Sequence, residues 1–241
     1  MVEMVRLLDE IKPSLGPIEK TYTHNGIQVP RVTSILSKCI HNDGLMYWAN
    51  SLGFKHKSYS KTLDEAANIG TQCHESIDGY LTDNSYTAPE NMEYQSANAY
   101  NSFRKWYDNI TQYANVRVIC HEKTITCPYF GGTLDGLYEI NGMIYLIDYK
   151  TTNHITYKHF LQLSAYRYML RTELGINIDG CIILQLDKNS VSYNEFVLDF
   201  TNPEHLAFIN TCERAFLSLV YAFYNINIVD NAYNNLHLGE T

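Results

Sequence analysis

The chain has no uninterrupted, strongly apolar run of bilayer length, no CxxC pair, no internal repeat, and no stretch rich in proline, glycine or serine that would divide it. Each absence excludes a class. The most apolar segment, Ala215 to Tyr224, is interrupted by Ser218 and falls far short of the roughly 20 residues of a spanning helix, so a soluble chain with no membrane partner is expected. The first residues, MVEMVRLLDEIKP, carry acidic side chains early and lack an apolar core followed by small residues; they do not read as a secretory signal, and an intracellular location is expected. Six cysteines (Cys39, Cys73, Cys120, Cys127, Cys181, Cys212) are scattered without pairing pattern, which points to reduced thiols. Charge is sparse, at 18% of residues, and its balance of -8 argues against a protein that coats nucleic acid by bulk electrostatics. It leaves room for a local basic groove and for carboxylates that bind metal. His74-Glu75 and His121-Glu122 do not continue to HExxH, and GxSxG, GxGxxG and the phosphate-cradling GxxxxGK[ST] are missing, so a zinc peptidase, a serine hydrolase, a dinucleotide enzyme and a fused ATP-driven motor are unsupported.

What remains is a globular composition, 45% hydrophobic over 241 residues, enough for one well-buried core and a single domain spanning 1–241. Residues 1–110 read as mainly helical. Thr62 followed by Glu65 has the form of a capping box opening a helix near 62–81, with Leu63, Ala66, Ala67 and Ile77 on its core side. Residues 91–110 read as a second helix, with Tyr100, Phe103, Trp106 and Tyr107 at core spacing. From Val116 the pattern changes to three strands, VRVICHEKTIT, GTLDGLYEI and MIYLIDYKT, rich in β-branched and aromatic residues. A helix over Tyr157–Leu174, strands over Gly180–Leu186 and Val191–Phe200, and a closing helix over Pro203–Tyr224 complete the reading. The order predicts an α/β fold in which helices flank a central mixed sheet, residues 116–200 forming its main part.

Asn141-Gly142 between Ile140 and Met143 is a strong hairpin signal, because a type I′ turn needs positive φ at both central residues. If Ile140 faces Met143, paired positions sum to a constant and Asp135 falls opposite Asp148, both side chains on one face. Opposed residues of an antiparallel ladder have Cβ atoms about 4.5–5.5 Å apart, near enough for two carboxylates to share a cation. Lys150, two residues on, points to the same face. Without a cation two such charges repel by ~0.8 kcal/mol in water and ~3 kcal/mol at an effective dielectric near 20. Mg²⁺ or Mn²⁺, one ion or two, suits oxygen ligands and removes that penalty. The plainer alternative is a solvent-facing strand with an ordinary Asp-Lys pair. Leu146, Ile147 and Tyr149 argue for a buried strand instead, where charges seldom lack a partner.

GGTLDG at 131–136 and LIDYKTT at 146–152 resemble the paired motifs of the PD-(D/E)XK nuclease superfamily. GTQCH, with Gly70 and His74, resembles the GxxxH motif of its RecB-like branch, and QLSAY, with Gln162 and Tyr166, resembles the QxxxY motif. VPRVTSIL at 29–36 is similar to the amino-terminal segment of stand-alone RecB-like exonucleases, a group that includes the mitochondrial genome maintenance exonuclease and phage relatives. The resemblance implies a restriction-endonuclease-like core. It implies metal ligation by His74, Asp135, Asp148 and the backbone carbonyl of Tyr149, with Lys150 as catalytic lysine and Glu122 in a supporting role. It departs from the iron-sulfur members of the branch, which carry a carboxy-terminal cysteine trio, so no cluster is expected.

The remaining candidates have two readings each. His74 on a helix is by itself an ordinary boundary residue; Gly70, one turn earlier, suggests a close backbone approach that would explain a mid-helix glycine costing about 0.8–1.0 kcal/mol relative to alanine. Gln162 and Tyr166 share a helical face and could hold phosphate or position Lys150, or Tyr166 could pack in the core beside Leu163. Lys55, Lys57, Lys61, Lys158, Arg167 and Arg171 could track a phosphate backbone or be solvated surface charge, and Trp48 could stack on a base. The expected activity is a metal-dependent DNA exonuclease preferring single strands or ends, in a phage or other replication, recombination or repair setting with partner proteins. A structure-specific endonuclease on the same core and a non-catalytic nucleic-acid-binding module are the alternatives.

Overall fold

Two Asn-Gly dipeptides set two hairpins. In the computed structural model, which describes residues 21–40, 50–52, 58–83 and 85–236 together with Leu8, Phe54 and His56, both residues of each dipeptide adopt positive φ: Asn25 48° and Gly26 82°, Asn141 53° and Gly142 83°. The first closes β1 (Thr21–His24) on β2 (Ile27–Pro30), and the second closes β4 (Gly131–Ile140) on β5 (Met143–Lys150). The first hairpin adds two short strands to the 1–110 segment expected to be mainly helical. Its turn signal is the same as the one that located the second.

Helices α1 (Val32–Cys39), α2 (Tyr59–Thr82) and α3 (Tyr94–Tyr113) follow, then β3 (Val116–Thr126), β4, β5, α4 (Tyr157–Leu174), β6 (Gly180–Leu186), β7 (Tyr193–Asp199) and α5 (Pro203–Asn235). The main sheet has five strands in the order β3-β4-β5-β6-β7. Only β5 and β6 run parallel, as they must when a helix, α4, carries the chain back across the sheet. The other neighbours pair antiparallel. The expected mixed sheet flanked by helices is therefore what the chain forms.

Alternation along β5 separates two cores. Leu146 faces a cluster with Leu137, Leu163, Met169, Phe216 and Val220, where α1, α4 and α5 cover the sheet. Ile147 and Tyr149 face the opposite cluster, where Cys73 and Ile77 of α2 and Phe103 and Trp106 of α3 pack on Tyr138 and Leu184. A period of two in the strand thus fills both faces, giving three layers.

Several element details depart from expectation. Ser58 caps α2 by accepting from Lys61 N, so Thr62 lies inside the first turn rather than at the cap. Leu63, Ala66 and Ala67 are exposed, and the buried face is Ile69, Cys73, Ser76 and Ile77. In α3, Tyr100, Phe103 and Trp106 are buried and Tyr107 packs partly against them, as the spacing predicts. Helix α5 continues well past Tyr224 to Asn235, because nothing at Asn225 breaks it and Lys38 of α1 ties it down through Asn227 and Asp230. By length and composition α5 could cross a membrane, with a mean hydropathy of 1.2 over its most apolar stretch, of which 39% is buried in the protein. That apolarity has a local use: Ile209, Phe216, Leu217 and Val220 form part of the core beneath α4.

Candidate metal centre

The β4–β5 register starts at Ile140↔Met143 and holds to Gly136↔Ile147. One step further it would set Asp135 against Asp148. Here the ladder lapses, and Tyr149 N donates to the Asp135 side chain, Oδ2, at 2.7 Å instead. On the other edge of β4 the pairs His121↔Gly136 and Lys123↔Leu134 bracket Glu122 and Asp135, which are themselves unpaired. Glu122 takes a left-handed backbone, φ 43°, a conformation that a residue with a side chain holds only where its surroundings enforce it. Three carboxylates on three adjacent strands thus lie in one row, at the level where β4–β5 pairing ends and β3–β4 pairing is interrupted. Asp135 alternates with Leu137 and Asp148 with Leu146, whose side chains share one core, so the two aspartates share a face. Both are buried, Asp135 at 9% and Asp148 at 1% exposure, which rules out a solvent-facing strand.

Helix α2 brings His74 to this row. Its Nδ1 is 3.4 Å from Glu122 Oε1 and 3.6 Å from Asp135 Oδ1, while Nε2 is 3.2 Å from the Tyr149 carbonyl oxygen. One ligand atom from each of His74, Glu122 and Asp135 lies within 4.8 Å of the others, the spacing of a shared cation. Burial pulls the imidazole pKa down, but Asp135 and then Glu122 outweigh it and push it up to about 9. Cys73, next to His74, is pushed up to about 12 by burial and then by Asp135, so its thiol stays protonated and is no ligand at neutral pH.

Asp148 is held differently. Lys150 Nζ lies 2.7 Å from each of its carboxylate oxygens and donates a hydrogen bond to Oδ1. Burial pushes the Asp148 carboxyl above its usual range, against the pull of Lys150. Burial also opposes the Lys150 ammonium, yet Asp148 and Asp135 hold its pKa above the ordinary value. Asp148 Oδ2 is buried, with the Lys150 ammonium beside it but no well-directed hydrogen bond. A buried carboxylate oxygen so placed, beside two further carboxylates and an imidazole, suits a cation.

The predicted ligand set therefore divides. His74 and Asp135 stand in the three-residue cluster; Asp148 is paired with Lys150, and the Tyr149 carbonyl is met by His74 Nε2. Glu122, expected only in support, completes the cluster in their place. A ligating imidazole commonly gives its other ring N–H to a backbone carbonyl, which fixes its tautomer. Nε2–H donating to Tyr149 O leaves Nδ1 facing the carboxylates, where it holds a proton at neutral pH and would offer its lone pair only to a cation that displaces that proton.

Gln162 and Tyr166 reach this face from α4, but Gln162 Nε2 donates to the Tyr166 hydroxyl, 3.2 Å, and Lys150 is positioned by Asp148. Tyr166 is buried, and its ring lies where a Cβ on Gly132 would stand, 2.4 Å from Cε1; this glycine of GGTLDG is needed for close approach. At Gly70 that argument fails. A Cβ there would meet only Thr151 Oγ1, at 3.6 Å, an ordinary contact, so Gly70 lines the cleft without a tight backbone approach. Arg167 and Arg171 do not offer themselves to phosphate either, since both bind buried Glu213 of α5, at 3.0 and 2.7 Å. Lys158 donates to Ile40 O, and Lys61 lies exposed on α2. Lys55, Lys57 and Trp48 fall outside the described residues.

Sequence reading missed the pair Asp78–His121, 2.6 Å, which ties α2 to β3 beside the cluster. Asp78 follows His74 by four residues and His121 precedes Glu122, so helical and strand spacing held the clue. The open cleft over the site, about 960 Å³, is lined by Gly70, His74, Glu75, Asp78, Glu122 and Lys150 among others. Its acidic wall attracts cations and repels a free polyanion.

No family model matches the chain, and no curated protein matches it. Solved structures do match, among them the crystal structure of SSO0001, aligned over 90% of this chain and 84% of that one at 14% identity and a TM-score of 0.37. A likeness of that degree carries no argument about activity.

Proposed function

We propose that the chain is a metal-dependent phosphodiesterase acting on DNA, a stand-alone exonuclease preferring single strands or ends. The observation that carries the reading is the row Glu122–Asp135–Asp148, met by His74 from one side and Lys150 from the other, beside an open cleft that Glu122, His74 and Lys150 line. Mg²⁺ or Mn²⁺ is the proposed metal, on His74, Glu122 and Asp135, with Asp148 Oδ2 in reserve. When bound it would acidify water and offset the charge of a phosphate.

The chain's own groups then have defined tasks. The acidic cleft by itself repels a phosphodiester, so substrate affinity depends on neutralising Glu122 and Asp135. Tyr149 N, donating to Asp135 Oδ2, orients that carboxylate with its other oxygen toward His74. Tyr149 O accepts a hydrogen bond from His74 Nε2–H, which keeps Nδ1 turned toward the carboxylates. Lys150 keeps its proton because two aspartates hold it, so it serves as a fixed positive charge for the oxygen on which charge gathers, not as a base.

The test is digestion of single-stranded, double-stranded and circular single-stranded DNA labelled at either end, with Mg²⁺ or Mn²⁺. Release of nucleotides from linear DNA, with the circle intact, is expected. Lys150→Ala should lose about 100-fold or more in kcat, the scale of removing one group that stabilises transition-state charge. Equal activity in that variant, or cleavage of the circle at the same rate, refutes the proposal.

A further inference from the structure

A second cavity adjoins the first. It occupies about 240 Å³ at the carboxyl ends of β5 and β6, among Thr151, Thr152, Gln185, Asp187, Lys188 and Asn194. Gln185 is the ladder partner of Lys150, so the cavity begins one residue from the lysine of the catalytic cleft. Thr151 stands between the two hollows: its Oγ1 faces Gly70, which lines the larger one. In open α/β sheets this end of parallel strands is where ligands settle.

The polar groups here are already ordered. Gln185 Nε2 donates to Thr152 O at 2.9 Å, and Asn194 Nδ2 donates to Gln185 Oε1 at 3.0 Å. Asp187 accepts from Asn189 N and from the Ser190 and Ser192 hydroxyls, which occupies its acceptor oxygens. The Lys188 carbonyl is held by Asn98 Nδ2 from α3 at 3.2 Å, so the side chain springs from an anchored backbone. What is left to a ligand is the Lys188 ammonium, the second Nε2–H of Gln185, the Asn194 amide oxygen and the Thr151 hydroxyl. That combination suits an anion carrying both donors and acceptors. At 240 Å³ the space is below the roughly 300–1,000 Å³ of clefts that enclose a whole small ligand, and it fits one unit of a longer chain.

We propose that this cavity is the subsite for the nucleotide unit adjoining the scissile phosphate, with its phosphate on Lys188 and its sugar or base edge on Gln185 and Asn194. The inference rests on the phosphodiesterase reading above. A strand lying in the cleft would cross Thr151 to enter it, so the subsite contributes to binding of oligonucleotides and not of a minimal diester.

The experiment compares wild type with Lys188→Ala and Asn194→Ala on two substrates, a single-stranded decanucleotide and bis(p-nitrophenyl) phosphate, and measures decanucleotide binding against salt. Each variant is expected to raise KM for the decanucleotide by about fivefold, the upper scale of one part-exposed ion pair. Both constants on the small diester should stay unchanged. Lys188→Ala should also flatten the plot of log binding constant against log salt by about 0.7, one single-strand phosphate contact. Unchanged KM and slope in both variants, with wild-type cleavage intact, overturns the subsite alone. Wild type that binds DNA with a slope sensitive to Lys188 but cleaves neither substrate keeps the subsite and overturns the catalytic reading. Wild type that neither binds nor cleaves overturns both.

Discussion

His74 makes the centre's pH dependence readable at the level of one ring. Its pKa in the folded protein, about 9, exceeds the ordinary 6.5, so its pairing with Asp135 and Glu122 stabilises the fold fully below pH 6.5. That contribution fades as pH rises through 9. Metal binding runs the opposite way, because a cation must displace the imidazole proton: affinity for Mn²⁺ should climb about tenfold per pH unit between 6.5 and 8.5. Calorimetric titration at three pH values checks this, and a slope unchanged by His74→Gln would assign the proton elsewhere. The two motif glycines should part company in the same kind of measurement. Gly132→Ala drives a Cβ into the Tyr166 ring and should destabilise by about 1–3 kcal/mol in urea denaturation. Gly70→Ala has space and a helical backbone, and should be neutral or stabilise by up to about 1 kcal/mol.

Among the elements, hairpin β4–β5 was legible because its signals are local: Asn141-Gly142 sets the turn, the turn sets the register, and the register places Asp135 and Asp148. The sheet then changed the outcome at the last pair, where Tyr149 N turns to a carboxylate instead of a carbonyl. No local signal encodes that exchange. Helix α5 shows the converse, since its extension beyond Tyr224 depends on Lys38 in a distant helix. Arg167 and Arg171 read as surface cations on α4 for the same reason: their partner, Glu213, lies more than forty residues away and is 2% exposed. Glu213→Ala removes the buried carboxylate that both guanidinium groups bind and should destabilise by about 3 kcal/mol, the low end for a broken buried pair, because Arg167 keeps Asn210 Oδ1 and Arg171, 30% exposed, can reach water. Chemical denaturation would show it; a loss below about 1 kcal/mol would mean the triad is solvated after all.

For the molecule as a whole, the His74–Glu122–Asp135 cluster joins α2 to the strands β3 and β4, so a cation bound there would link ligand binding to folding. Mn²⁺ at about one hundred times its dissociation constant should add about 2.7 kcal/mol and raise Tm by about 5–10 °C. Asp135→Asn should abolish the rise without abolishing folding, and an unchanged shift in that variant would move the cation elsewhere. Composition and periodicity by themselves determined the α/β class, most of the sheet's strands, and the face shared by Asp135, Asp148 and Lys150, because patterns of two and of 3.6 and the chemistry of a tight turn are properties of neighbouring residues. Only the tertiary structure decided that Glu122 joins His74 and Asp135 while Asp148 pairs with Lys150. That division is set by distances between α2, β3, β4 and β5 and by a left-handed backbone at Glu122, quantities that arise when separate segments pack and that no single stretch of chain contains.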